Sequence, residues 1–91
     1  MKSHINQTTA VSALARIVII QALLRRAKGE LTEGALVAKL KRIEREELEP
    51  QGLTLLIRNL VDGRMRLLVK DVAEGLVCTM MDFAKDGTLE E

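Results

Sequence analysis

Residues 51–63 read Gln51-Gly52-Leu53-Thr54-Leu55-Leu56-Ile57-Arg58-Asn59-Leu60-Val61-Asp62-Gly63. Leu53, Leu56, Ile57, Leu60 and Val61 fall at i, i+3, i+4, i+7 and i+8, the spacing of one apolar face of an α-helix. Pro50 disfavours helical backbone at Glu49, so Glu49-Pro50-Gln51-Gly52 is a turn ahead of it. Gly63 can take the left-handed conformation that ends helices. The spacing therefore predicts an amphipathic helix. Its polar side carries Gln51, Thr54 and Arg58 at i, i+3 and i+7, with Asn59 adjacent.

Two helices are expected upstream. The first runs from Thr8 or Thr9, either of which can cap it, to Lys28; Gly29 closes it. Arg25, Arg26 and Lys28 sit beside the negative end of its dipole. Ser12, Arg16 and Gln21 leave only a narrow polar strip, and a helix apolar nearly all round is buried on more than one side. A 91-residue chain with 47% apolar residues has little interior in which to hide it. A homodimer through Leu14, Ile17, Ile19, Ile20, Leu23 and Leu24 is the expectation. The second helix begins after Thr32, an N-cap. Leu36, Val37, Leu40 and Ile43 form its apolar face, and Lys39, Lys41, Arg42, Glu44 and Arg45 its polar side.

The last third reads two ways. Asp71-Val72-Ala73-Glu74 has the form of a capping box, and Val72, Leu76, Met80 and Phe83 then lie near one helical face. The rival is a hairpin: strand 64–70, a turn at Asp71 to Gly75, strand 76–83. The helix is favoured, although Gly75 counts against it by about 1 kcal/mol. Residues 1–8 form a flexible arm, 9–87 one domain and 88–91 a frayed acidic tail. The expected fold is all-α, with three or four helices.

Composition narrows the chemistry. One Phe and no Trp or Tyr leave no stacking platform for single-stranded nucleic acid. One Cys and one His can complete neither an intrachain disulfide nor a Cys/His zinc site. His4 stands alone in the arm, and Cys78, in an apolar run, reads as a small buried hydrophobe. Glu46, Glu47 and Glu49 point in different directions on a helix and form no metal cluster. No glycine-rich phosphate loop occurs. No cofactor, no metal and no catalysis are expected. The stretch Ala13–Leu24 is too short and too charged to span a bilayer, and one unpaired thiol suits a reducing compartment, so the expected location is cytoplasmic.

Charge divides the chain. Residues 1–45 carry nine basic and three acidic side chains, a net of +6; residues 46–91 carry five and ten, a net of −5. Arg25, Arg26, Lys28, Lys39, Lys41, Arg42 and Arg45 supply a basic patch able to meet phosphates. The order of elements across residues 14–70 is similar to the helix-turn-helix core of winged-helix domains. That resemblance implies that the third helix reads DNA, with Gln51, Thr54 and Arg58 facing the bases and Arg25, Arg26, Lys39, Arg42 and Arg45 serving phosphates. The expected function is a small non-catalytic regulator binding double-stranded DNA as a homodimer. The alternative is an interaction module, such as an adaptor, chaperone or inhibitor, that docks on a protein partner through an aliphatic helical surface.

Overall fold

A computed structural model describes residues 11–90. The arm, His4 and the capping threonines Thr8 and Thr9 lie outside the described residues. Within them the first cap is Ser12, whose hydroxyl accepts from the Ala15 N–H at 3.1 Å. Helix α1 follows at Ala13–Ala27 and ends where Glu30 N–H returns to the Arg25 carbonyl, with Gly29 at positive φ. Thr32 caps helix α2, Glu33–Ile43, by accepting from Ala35 N–H. The chain then widens into a π-helical turn at Glu44–Leu48 and tightens into a 3₁₀ turn at Glu49–Gln51 that starts around Pro50. These turns bring Leu48 into the core.

Everything after Gly52 is strand and turn. Strands β1 (Leu53–Asn59), β2 (Met65–Asp71), β3 (Val77–Phe83) and β4 (Leu89–Glu90) form one antiparallel sheet in the order β1-β2-β3-β4. The fold is mixed α+β, with two α-helices followed by a four-stranded sheet among the described residues, and the all-α expectation is overturned. The helix expected over residues 53–61 is strand β1. Its alternate residues Leu53 and Leu55 are buried, and Leu55 pairs with Val69. The physical reason is partnership: Leu36, Leu40 and Ile43 of α2 present an apolar stripe that a sheet face covers. Asp62-Gly63 turns a hairpin instead of ending a helix. With the third helix goes the helix-turn-helix resemblance.

The favoured helix after Asp71 is likewise replaced, and the chain adopts the hairpin. Asp71 does cap, but it caps a turn: its carboxylate accepts from Glu74 N–H and its carbonyl from Gly75 N–H, with Gly75 at φ +73°. A bulge between Val69 and Lys70 in the β2–β3 register accommodates Cys78. Leu89 and Glu90, expected to fray, pair with Phe83 and Asp82.

Both helices lie on one face of the sheet. Ala15, Ile19, Ala22 and Leu23 of α1 meet Leu36, Leu40 and Ile43 of α2 and the inward side chains Leu53, Leu55, Met65, Leu67, Val69, Met81 and Phe83. Among the described residues no helix covers the opposite sheet face.

Candidate functional site

Helix α1 has two apolar stripes. The inner one, Ala15, Ile19, Ala22 and Leu23, is occupied by the core. The outer one follows from the 3.6-residue period: Leu14, Ile17, Gln21 and Leu24, spaced 3-4-3, with Val18 and Arg25 alongside. Leu14 is 76% exposed, Ile17 49% and Val18 42%. Ile20 and Leu24 are half-buried. Of the six residues expected at a dimer interface, Ile19 and Leu23 are therefore taken by the chain's own interior. Leu14, Ile17 and Leu24 lie on the outer stripe, and Ile20 packs against the rim of the core.

A furrow runs between α1 and α2 along this face. At one end Leu14 and Val18 stand beside Lys39, Arg42, Glu46 and Glu47. At the other, Val18 and Gln21 stand beside Arg25 and Lys39. The acidic end is tied to the start of α1, where Ser12 Oγ donates to Glu47 at 2.7 Å. Arg26 is held by Glu33 at 2.8 Å and Arg42 by Glu46 at 3.0 Å. Arg25, Lys39 and Arg42 line this furrow, while Lys41 lies on the other flank of α2. Arg45 is exposed on the turn after α2.

The polar triple does not share a face. Gln51 ends the 3₁₀ turn and its amide donates to the Glu47 carbonyl. Thr54 and Arg58 belong to β1 and point to the open side of the sheet. There, cross-strand rows run Leu56–Leu68–Met80 and Arg58–Arg66–Asp82–Glu90. Arg66 grips Asp82 through two bonds at 2.7 and 3.1 Å, which hold the Asp82 carboxyl below the usual aspartate range. Arg64 spans Asp62 at 2.9 Å and Glu90 at 3.6 Å. Val72, Leu76, Val77 and Met80 make the open face apolar near the β2–β3 turn.

Sequence reasoning missed that face, because a helix reading gathers Met80 and Phe83 on one side while a strand separates Phe83 from Met80. It also missed Glu44, which in sequence is one acid in a charged run. Cys78 is half-buried, its Sγ 3.8 Å from the Leu76 carbonyl. Among the described residues no helix is long and apolar enough to cross a membrane, and no three His, Cys, Asp or Glu side chains gather as a metal would need. No protein family, curated protein or solved structure matches the chain.

Proposed function

We propose that the chain is a non-catalytic interaction module that pairs with a second copy through the outer stripe of α1. The supporting observation is that stripe itself. Its 3-4-3 spacing reads the same in both directions, so an antiparallel twofold sets Leu14 opposite Leu24 of the partner helix and Ile17 opposite Gln21. The same twofold brings Arg25, at the basic end, toward Glu46 and Glu47 at the acidic end of the mate. A cytoplasmic setting belongs to this proposal, since a half-buried thiol persists in reducing surroundings.

Binding of double-stranded DNA is the rival proposal and has less support. Two of its five phosphate candidates, Arg26 and Arg42, already hold carboxylates. Its base-reading triple is divided between a turn and a strand.

Sedimentation equilibrium from low to high micromolar concentration tests the pairing. The wild type is expected to be a dimer, and Val18→Glu a folded monomer, because Val18 lies outside the core. A wild-type monomer at high micromolar concentration overturns the reading. Duplex DNA bound more tightly than about 10⁻⁴ M near physiological salt, with affinity falling as salt rises, would put the nucleic-acid reading ahead.

A further inference from the structure

Strand β1 is an outer edge of the sheet. Val72 N–H donates to the Gly52 carbonyl and Leu60 N–H to that of Arg64, so residues 54, 56 and 58 turn their backbone groups toward β2. Leu53, Leu55, Ile57 and Asn59 turn theirs outward. An outward-facing row of this kind is a template for another strand unless something guards it. Here the guard is partial. The Glu44 carboxylate accepts the Leu55 N–H at 2.8 Å and the Thr54 hydroxyl at 2.7 Å. Beyond it, the Ile57 N–H and carbonyl and the Asn59 N–H have no hydrogen-bond partner among the described residues.

The open part of the edge borders a hollow. Val37, Leu40 and Lys41 of α2, with Glu44 of the turn after it, form one wall, and Leu55, Leu56 and Ile57 of β1 the other. This is the flank of α2 opposite the furrow of Lys39, Arg42 and Glu46, so the two surfaces are separate. Lys41 from the helix side, whose charge also acts on the nearby Glu44 carboxylate, and Arg58 from the open side flank the edge, and neither forms an ion pair among the described residues.

We propose that the outer edge of β1 from Ile57 to Asn59 accepts an extended acidic segment of a partner protein as a fifth strand. The backbone of Ile57 exchanges both bonds with one residue of the segment, and Asn59 N–H adds a third. An aliphatic side chain of the segment enters the hollow between Val37 and Ile57. Its carboxylates meet Lys41 on one side and Arg58 on the other, since side chains of a strand alternate in direction. A second copy of β1 is the poorer occupant. Antiparallel pairing about Ile57 would set Arg58 opposite Leu56 of the second copy, offer Lys41 and Arg58 no carboxylate from the added strand, and press the Glu44 carboxylate on the carbonyl of the second copy's Asn59. Glu44 also fixes the register, because the added strand must begin past Leu55.

The probe is a blocked seven-residue peptide of alternating valine and glutamate, titrated into the full chain and followed by amide NMR shifts and hydrogen exchange. Shifts are expected at residues 55–59 and along the Val37–Lys41 flank, with exchange of the Ile57 N–H slowed about tenfold or more near saturation. Methylation of the peptide's central backbone nitrogen should abolish this. A valine–lysine peptide should bind about tenfold more weakly, and Lys41→Glu should narrow or reverse that preference. No shift at Ile57 or Asn59 with millimolar peptide overturns the proposal, as does binding indifferent to methylation. Protection of these amides that grows with protein concentration alone would assign the edge to a second copy and also overturn it. Val18→Glu, which tests the α1 pairing, leaves this surface untouched, so the two readings fail separately.

Discussion

The Glu44 carboxylate and the Leu55 N–H, 2.8 Å apart, join the turn after α2 to the rim of the sheet. That bond, followed by the Thr54 hydroxyl, holds the Glu44 carboxyl below its ordinary 4.5; partial burial opposes the shift and the Lys41 charge adds to it. A lowered folded value means that the bond stabilises the fold above the unfolded value and that the gain is lost as pH falls through the folded one. Glu44→Gln is expected to cost about 1 kcal/mol near neutrality. Urea unfolding at about pH 7 and about pH 3 checks the sign: the gap between wild type and variant should shrink in acid. A gap unchanged by pH would refute the linkage.

Phe83 and Met80 distinguish the strand from a helix at the level of energetics. Phe83 is fully buried and Met80 is 54% exposed on the other sheet face. Phe83→Ala should cost about 3–5 kcal/mol, whereas Met80→Ala should stay within about 0.5 kcal/mol. Equal losses in chemical denaturation would contradict the register.

Gly87 lies under α1. A Cβ there would stand 2.6 Å from the Leu23 carbonyl oxygen and 3.0 Å from Ala27 Cβ, at φ +88°. The strained backbone alone costs about 1–3 kcal/mol, and the contact with a helix carbonyl adds to it. Gly87→Ala should therefore lower the melting temperature well beyond Gly29→Ala, whose Cβ meets nothing within 4 Å.

Charge reversal tests the geometry of the proposed pair. Arg25→Glu and Glu46→Arg should each shift the sedimentation equilibrium toward monomer. The double variant should recover much of the dimer, because each new charge again meets its opposite across the axis. Additive weakening would place the two ends elsewhere.

Much of the helical half is legible in residues. Thr32 with Glu33 marks the start of α2, Gly29 marks the end of α1, and the all-round apolarity of α1 shows as two stripes. Two of the six interface candidates face inward because composition cannot say which stripe meets the core. The β half is misread at Leu53–Val61, where Leu53 and Ile57 fit a helical spacing and strand alternation at once. A short apolar run is ambiguous on its own. The run is nine residues long and is followed by Asp62-Gly63 and a second apolar run, which is the pattern of a hairpin turn. Glu44 has no local signature; its role exists only once β1 lies beside the turn.

Because the strands lie side by side in chain order, each pairing closes across a turn of only a few residues, and little loop entropy opposes it. Hairpins of this kind form in about 1–10 μs. Distant parts of the chain join where Ser12 meets Glu47 and where the helix pair settles on the meander, at contacts such as Gly87 with Leu23. The sheet can therefore zip from one hairpin to the next while α1 and α2 associate across residues 28–32. A topology so dominated by neighbours is expected to fold in about the millisecond range or faster.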